Sequence, residues 1–512
     1  MTRLLKNRTL LLALLAGASV LVHLKGITAP PLDYHYHRQC NTAAIARNYS
    51  ENGLEFLCPQ IDWEGGYAGC SATEFPLYMW LTGLLWRIGG LAHLWGRILS
   101  ALLSALTAVY LFMLLEGWME TEAAFYAGLL FSFIPLEVYF GRAIQPEAMA
   151  LFCAVAGLHH WRKSLQAGRP WGHWTAAVGF AFLSIGHKLT YVHLLIPLAA
   201  LSWLSLRREA FKDLPTLAAP VLILGGVYAW YKHASAGAYV VPTSPSEFLG
   251  LLHYERLAYF AQFQFLSRFP ELAATYGGVI LGFFGARELV WRRRQAFFAV
   301  WFLAVAAHLV AGGDYSFRHE YTSLPFAPVN AAFMGMGLFL LKAAALSPSL
   351  GPRPLDPRSR YWAVAGLLIL AHSIPLHMFL RIKHWYDLTH PQLVSAREAA
   401  ERVSRPDDLF LCNERGSSVF LFFLGRKGWS WDLAEAGESR IGQVEEKTRL
   451  GARFYATAKS PLFQDPEGFY AKWFFSRFPV VYDDRGLLIF RLDPTARSSG
   501  ARPRAGGVGR SS

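Results

Sequence analysis

Acidic, imidazole and guanidinium side chains closely follow the first apolar run of the chain. Residues 30–42 read P-P-L-D-Y-H-Y-H-R-Q-C-N-T, in which Asp33 is the carboxylate and His35, His37 and Arg38 follow it. A carboxylate at the boundary between lipid and water is suited to chemistry that joins a lipid-linked substrate to a soluble or amphipathic one. A simple helix cap fits the same position, so the other ionisable residues decide between the two.

Three further groups of ionisable residues lie between or beside apolar runs. Ionisable groups at membrane depth are costly, so they tend to mark functional sites or to pair with one another. Four such groups predicted on one side of a membrane favour a functional site over a set of headgroup-level residues. The three further groups are Arg142 with Glu147 in G-R-A-I-Q-P-E, His187 with Lys188, and the run Arg318, His319, Glu320 and Tyr321.

These residue types suggest that a group is transferred from a lipid phosphate. Asp33 has the chemistry of a general base that takes the proton of an acceptor hydroxyl. Lys188 offers the phosphate a point charge, whereas Arg142 or Arg318 can grip two of its oxygens at once. Three roles are open for Glu147: it can orient the acceptor, position a cationic group, or bind a divalent metal.

The composition is that of a membrane protein. Of the 512 residues, 53% are hydrophobic and 17% are charged, against about 25% charged in an ordinary soluble domain. The net charge of +13 does not indicate a nucleic-acid partner, because the basic residues cluster between apolar runs, as cytoplasmic loops require. The five cysteines match no zinc-binding spacing.

The basic residues also predict the topology. Residues 1–8 and the loop at 162–169 are both basic and are expected in the cytoplasm, the first of them before an uncleaved signal-anchor helix. An even number of spans must separate these segments, and four other apolar runs already provide it. A fifth span at residues 75–96 would make the number odd, so this segment is expected to lie in the interface as amphipathic helices. The outer loop 26–97 then stays on the same side as Asp33. The four spans lie at residues 9–27, 98–116, 121–140 and 144–161.

The rest of the chain divides at about residue 380. Residues 1–380 are predicted as a polytopic α-helical membrane domain with about eleven transmembrane helices. Residues 381–495 have the composition of a small α/β domain on the outer face, and residues 496–512 are expected to be a disordered tail. The seven further spans lie at residues 171–187, 189–206, 214–231, 272–291, 295–311, 323–343 and 361–380.

Short patterns within residues 381–495 predict individual elements. Helical spacing marks Ala396–Val403, and apolar runs at 409–412 and 419–424 are interpreted as strands. The segments 480–482 and 487–490 flank the turn D-D-R-G and are expected to form a hairpin.

The cysteines leave one pairing open. Cys58 and Cys70 share the first outer loop, where a disulfide forms if that face is oxidising. Cys40 and Cys412 are competing partners. Cys153 lies within a span, where it is expected to act as a small apolar residue.

Several of these motifs resemble one known family. The run at residues 32–49, L-D-Y-H-Y-H-R-Q-C-N-T-A-A-I-A-R-N-Y, is similar to the first outer loop of bacterial membrane glycosyltransferases of the protein O-mannosyltransferase and aminoarabinose-transferase type, which have the GT-C fold. Later landmarks follow in the order of that family. They are T-E-F-P-L-Y at 73–78, G-R-A-I-Q-P-E at 141–147, H-K-L-T at 187–190, R-H-E-Y-T-S-L-P-F-A-P at 318–328 and G-R-K-G-W at 425–429.

The resemblance implies transfer of one sugar, with inversion, from a polyprenyl-phosphate donor on the outer face of the membrane. It gives Asp33 the position of the catalytic base and Glu147 that of a second acidic residue. Lys188, Arg318 and His319 fall at positions where the family would contact the donor phosphate, and Arg142 is expected beside that phosphate from its own chemistry. Support for the acceptor or for the structure is then expected from Arg38, His37 and Tyr321.

The chain departs from the family pattern at three positions. Asn41 stands where Asp is common, Thr322 where a second Tyr is common, and Glu147 where many relatives have Asp. The acceptor therefore stays open among a glycolipid such as lipid A, a polysaccharide and a protein.

Two other functions remain as alternatives. A transporter or flippase of lipid-linked sugars would share a basic groove but would be expected to show internal repeats or broken mid-membrane helices, and no repeat is visible in the sequence. A non-catalytic scaffold for envelope assembly would tolerate replacement of Asp33 and Glu147.

Overall fold

The computed structural model describes residues 7–67, 69–71, 73–166, 168, 170–235, 254–346, 357–414, 417–431, 441–459, 469–484 and 486–492. The chain divides into two compact units. The first contains residues 1–34, 45–60 and 69–387, and the second contains residues 35–44, 61–68 and 388–512. The tail predicted at 496–512 lies outside the described residues.

The regular secondary structure in the described part of the first unit is entirely helical. Its α-helices are Arg8–His23, Leu77–Gly89, His93–Leu115, Thr121–Phe131, Pro135–Phe140, Glu147–Ser164, Trp171–His187, Leu195–Leu206, Leu214–Ser235, Tyr254–Ala261, Tyr276–Ala286, Ala296–Ala311, Gly313–Arg318, Phe326–Leu346 and Pro357–Ile382. A further helix, Tyr36–Asn52, runs from the second unit into the first. Short 3-10 segments lie at Leu189–Leu194, Arg207–Phe211, Glu320–Ser323 and Lys383–Tyr386, and π-helical segments at Gln262–Ala274 and Arg287–Arg292.

Several helices of this unit are long and apolar enough to cross a membrane. Within the described residues there are five of them: His93–Leu115, Leu189–Phe211, Leu214–Ser235, Phe326–Leu346 and Arg358–Tyr386. Arg8–His23 and Ala296–Ala311 are shorter apolar helices. The protein is therefore a multi-pass helical membrane protein.

The segment at 75–96, which was predicted to lie in the interface, begins with a short helix. Leu77–Gly89 has 13 residues and ends at Gly90, whose φ of 82° lies in the left-handed region that favours glycine. A helix needs about 20 residues to cross the hydrocarbon core of a bilayer, so this one is too short to do so.

Two sequence predictions need correction. Residues 121–140, predicted as one span, form the separate helices Thr121–Phe131 and Pro135–Phe140. Proline lacks an N–H donor and begins a helix better than it continues one, which explains the break at Pro135. The run Val419–Leu424, predicted as a strand, is a helix that ends at Gly425 with φ of 64°. Periodicity cannot separate a short buried helix from a short buried strand, and all six residues of the run are buried.

A mixed sheet forms the second unit. Its strands are β1 (Glu64–Gly65), β2 (Leu409–Asn413), β3 (Gly428–Trp431), β4 (Ala452–Ala458), β5 (Val480–Asp483) and β6 (Leu487–Arg491), in the spatial order β1-β3-β2-β4-β6-β5. The three central strands are parallel, and the outer pairs are antiparallel. The predicted hairpin is present as β5 and β6. The edge strand β1 comes from the loop predicted to be the first outer one. The helices of this unit are Ala396–Val403, Val419–Leu424, Ile441–Arg449 and Phe469–Arg477.

Candidate functional site

Two buried arginines hold the Asp33 carboxylate. Arg97 Nη2 lies 3.2 Å from Asp33 Oδ1, and Arg142 Nη2 lies 2.6 Å from Asp33 Oδ2. The three side chains are at most 1% exposed. Charge-assisted bonds of this kind are stronger than neutral ones, so the carboxylate has a defined position.

The same arginines also fix the backbone of the segment before Asp33. Arg97 donates to the carbonyl oxygens of Ala29 and Pro30 at 3.1 and 3.2 Å, and Arg142 Nη1 donates to the carbonyl of Gly26 at 3.2 Å. The chain leaving the first helix is thus held at several points, which orients Asp33 toward the two guanidinium groups.

Aromatic rings cover the Arg142 side of this cluster. The guanidinium carbon of Arg142 lies 4.4 Å from the ring centre of Tyr386 and 4.9 Å from that of Tyr139. Burial disfavours the charge of Arg142, but the Asp33 carboxylate and Tyr139 outweigh it, so the pKa of the guanidinium is raised. Arg142 therefore stays charged.

Arg97 was missed by the sequence analysis. It was assigned to the loop before a span at 98–116, whereas the helix begins at His93 and includes it. The signal available in the sequence was a lone arginine at the start of a long apolar run. Such a residue snorkels to the interface or pairs inside the protein, and only the structure shows that it pairs with Asp33.

A second cluster joins Lys188 to two carboxylates. Lys188 Nζ lies 2.8 Å from Glu147 Oε1 and 3.9 Å from Glu74 Oε1. It also lies 4.9 Å from the ring centre of Tyr321. Lys188 follows the end of the helix Trp171–His187 and has an extended backbone. Glu147 begins the helix Glu147–Ser164, where a negative charge is favourable.

The helix Leu77–Gly89 connects the surroundings of the two clusters. The backbone N–H of Tyr78 donates to His187 Nε2 at 3.3 Å, next to Lys188 in the chain. The Tyr78 hydroxyl lies 2.7 Å from Ser100 Oγ, one turn after Arg97, and Ser100 Oγ donates to the Ala143 carbonyl, also at 2.7 Å. The hydrogen bonds of Tyr78 thus reach the backbone beside both clusters.

Arg268 anchors the loop that contains Arg318 and His319. Arg268 donates to the carbonyl oxygens of Ser316 and Phe317 at 2.8 and 2.7 Å. Its Nη2 also lies 3.6 Å from Glu320 Oε1. Arg268 belongs to the π-helical segment Gln262–Ala274, a backbone form that occurs frequently at functional sites.

Tyr34 connects this loop to the segment of Asp33. Its hydroxyl donates a hydrogen bond to Glu320, and burial together with the Glu320 charge raises the pKa of Tyr34. Its ring stacks on Trp385 at 4.5 Å, and the Tyr139 hydroxyl donates to its carbonyl at 2.8 Å. The residue after Asp33 therefore contacts both the loop of Glu320 and the end of the last long helix.

The other predicted site residues have the following places. Arg318 is exposed, and the His319 ring stacks on Tyr321 at 5.1 Å. His37 and Arg38 belong to the second unit, where His37 Nδ1 lies 3.1 Å from Ser417 Oγ and 3.5 Å from Glu414 Oε1. Their predicted role in supporting the acceptor or the structure stays a prediction.

Of the cysteines, Cys58 and Cys70 are joined in a disulfide. The buried residues Cys40, Cys153 and Cys412 are free. Within the described part of the chain, no group of three or more His, Cys, Asp or Glu residues is arranged to hold a metal ion.

Comparison with known proteins adds a family match and shared folds. The profile of the dolichyl-phosphate-mannose-protein mannosyltransferase family matches residues 73–230. ArnT from Cupriavidus metallidurans, bound to undecaprenyl phosphate, superposes with a TM-score of 0.59 over 96% of this chain and 99% of that chain, at 15% identity. The chain has the fold of these membrane glycosyltransferases. No protein of curated function matches its sequence.

Two structures of archaeal enzymes share the fold as well. The oligosaccharyltransferase of Archaeoglobus fulgidus, tethered with an acceptor peptide, gives a TM-score of 0.56 at 13% identity, over 88% of this chain and 69% of that chain. Its AglB complex with an inhibitory peptide and dolichol-phosphate gives 0.54 at 12%, over 91% and 70%. The likeness to membrane glycosyltransferases expected from the sequence is therefore confirmed. At these identities the roles of single residues have to be argued from the contacts of this chain.

Proposed function

We propose that this protein is an inverting glycosyltransferase of the cytoplasmic membrane. It moves a single sugar from a polyprenyl-phosphate donor to an acceptor hydroxyl on the outer face. The proposal keeps about eleven spans, a cytoplasmic N-terminus and a C-terminal domain on the periplasmic side, as the distribution of basic loops predicts. Support comes from the family profile and from structural relatives that carry undecaprenyl phosphate or dolichol-phosphate.

The observation that carries the proposal is the pairing of Asp33 with Arg142 at 2.6 Å, within a unit that also holds Arg97 and Lys188. A transferase acting on a lipid phosphate needs a base for the acceptor and cations for the phosphate. Arginine matches the oxygen geometry of phosphate, and lysine supplies a compact charge. These groups thus supply the chemistry that the reaction requires.

The proposed reaction balances without a cofactor. The acceptor hydroxyl gives its proton to Asp33, and its oxygen attacks the anomeric carbon from the face opposite the phosphate. The bond between the anomeric carbon and the phosphate oxygen breaks, so polyprenyl phosphate leaves with that electron pair. Arg142 and Lys188 offset the charge that develops on the leaving oxygen. The configuration at the anomeric carbon is inverted.

Glu147 acts in this scheme through Lys188. Of the three roles that the sequence left open, the 2.8 Å contact supports the one in which Glu147 positions a cationic group. Arg318 and His319 contribute from the outer loop, and Tyr321 contributes a ring beside Lys188. A divalent metal is not needed for any step.

The test is to replace Asp33 by Asn and to measure transfer. Membranes that contain the full-length protein are supplied with polyprenyl-phosphate sugars, and envelope glycolipids, polysaccharides and proteins are compared by mass spectrometry. Wild type should add one sugar, and Asp33→Asn, present at equal level in the membrane, should add none. Wild-type rates of transfer by the variant would contradict the role of Asp33. A flippase would move donor without consuming it, and a scaffold would tolerate the replacement.

A further inference from the structure

The carboxylate assigned as the base is fully enclosed. Asp33 is 0% exposed, and each of its oxygens accepts from an arginine. An acceptor hydroxyl needs one of those oxygens within hydrogen-bond reach. A general base at this position therefore requires an event that releases it from its arginine partners.

We propose that Arg97 and Arg142 form the receptor for the donor phosphate, and that Asp33 is the internal anion that occupies this receptor until the phosphate arrives. The inference rests on the proposed function and adds Arg97 to the binding residues. Phosphate binding and release of the base become one event, so Asp33 is active only when donor is in place.

The charge balance of the cluster supports a second anion. Two guanidinium groups and one carboxylate leave one positive charge in excess, and the three side chains are at most 1% exposed. An unbalanced buried charge is unfavourable unless a counter-ion is available. A phosphodiester carries one negative charge and would neutralise the site.

Unused hydrogen-bond donors point the same way. Arg97 Nη1 and Arg142 Nε are buried N–H groups without a hydrogen-bond partner among the described residues. Buried donors are normally satisfied, and each exception calls for an explanation. One such donor on each of two guanidinium groups that share an anion suits a ligand with several oxygens, such as phosphate.

The exchange follows from the atoms that Asp33 uses. The carboxylate accepts from Nη2 of each arginine. A phosphate that binds a guanidinium through two parallel bonds would take the free nitrogen together with Nη2. The displaced carboxylate oxygen is then available to the acceptor hydroxyl beside the bound donor.

Two aromatic rings cover Arg142, and that of Tyr386 lies nearer to the guanidinium than that of Tyr139. The Tyr386 ring, in the 3-10 turn Lys383–Tyr386 after the last long helix, lies 4.4 Å from the guanidinium carbon. A contact between a ring and a cation is weaker than a charge-assisted pair with phosphate. Displacing this ring is therefore compatible with phosphate entry.

The experiment measures binding of undecaprenyl phosphate to purified full-length protein in nanodiscs. Asp33→Asn removes the charge that competes with the phosphate, so this variant should bind undecaprenyl phosphate about tenfold or more tightly than wild type. A tenfold change in affinity corresponds to about 1.4 kcal/mol. Arg97→Lys should bind it about tenfold more weakly, because the planar fork is lost. Arg47→Lys is the matched control, a buried arginine paired with Glu51, and should bind as wild type does.

A second measurement covers loss of stability in Asp33→Asn, where two buried arginines lose their partner. The unfolding temperature of this variant should rise more than that of wild type when undecaprenyl phosphate is added. Undecaprenol, which lacks the phosphate, should raise neither. A rise with inorganic phosphate alone would show that the receptor recognises the phosphate group without the lipid.

The outcomes separate this inference from the proposed function. Equal or weaker binding by folded Asp33→Asn, with no larger thermal shift, would overturn the exchange. If Asp33→Asn binds more tightly but still transfers sugar, the phosphate receptor is supported and the role of Asp33 as base is contradicted. If Asp33→Asn binds more tightly but the wild type transfers no sugar, the phosphate receptor is supported and the proposed glycosyltransferase function is contradicted.

Discussion

Lys188 is shared between two carboxylates, with its ammonium 2.8 Å from Glu147 and 3.9 Å from Glu74. Lys188 and Glu147 are buried, whereas the Glu74 side chain is 24% exposed. Glu147 therefore holds the lysine within the protein interior, and Glu74 contacts it from a more exposed side. A phosphate that approaches from this exposed side would meet the ammonium near Glu74.

The first prediction follows from this arrangement. In Glu147→Gln, Lys188 loses the nearer of its two charged partners and with it its fixed position. The KM for the donor should therefore rise about tenfold, since a hydrogen bond to a charged group is worth about 1.5–3 kcal/mol. Lys188→Ala should raise KM further, and kinetics at varied donor concentration measure both. Glu271→Gln is the control, because Glu271 pairs with Arg381 at 2.9 Å instead. Unchanged donor dependence in Glu147→Gln would argue against a positioning role.

The same contact predicts the response to chelators. Glu147 and Glu74 already share a cation, the Lys188 ammonium, so a divalent metal would have to displace a lysine to bind between them. Transfer by the full-length enzyme should keep its rate in excess EDTA. Glu147→Gln should not become metal-dependent either. A loss of transfer with EDTA that Mg²⁺ or Mn²⁺ restores would instead assign a metal to these carboxylates.

Part of the site could be predicted from the sequence. Asp33 and Lys188 stood out because charged side chains are costly beside long apolar runs. The partners of these residues could not be predicted from the sequence. Asp33 and Arg97, for example, are 64 residues apart, and nothing in the spacing relates them. Arg97 also looked like an ordinary flank of a span.

The fold likewise has elements that the sequence predicts and elements that it does not. Apolar length and basic loops identify membrane helices, since both effects act locally along the chain. Shorter elements depend on tertiary packing, and for that reason Val419–Leu424 was wrongly predicted as a strand. The strand Glu64–Gly65 pairs with Gly428–Trp431, far away in sequence, and two residues carry no periodic signal.

A third prediction concerns pH and Tyr34. Its pKa is raised, so the hydroxyl keeps its proton and its hydrogen bond to Glu320 well into the alkaline range. Tyr34→Phe should lower kcat about fivefold to tenfold through loss of about 1 kcal/mol of loop positioning. The shape of the pH–rate profile between about pH 7 and 9 should stay as in wild type. A profile whose alkaline limb disappears in Tyr34→Phe would mean that the tyrosine itself titrates during turnover.

The last prediction uses the disulfide to test the side of the membrane. Cys58 and Cys70 are bonded across a separation of 12 residues in the loop predicted to be the first outer one, while Cys412 is buried and free. Disulfides persist in oxidising compartments, so the bond should be intact in protein from cells if this loop faces outward. Burial raises the pKa of the Cys412 thiol, which should leave it unreactive toward maleimide until the protein unfolds.

Mass spectrometry after maleimide labelling, with and without a reductant, measures both expectations. Reduction should add two labelled sites, at Cys58 and Cys70, and unfolding should add the three buried thiols. The variant with both Cys58→Ser and Cys70→Ser should lose about 2–3 kcal/mol of stability, the range for closing a loop of this length. Free thiols at Cys58 and Cys70 in untreated cells would place the loop, and Asp33 with it, on the reducing side of the membrane. That result would contradict the proposed reaction, which takes place on the outer face.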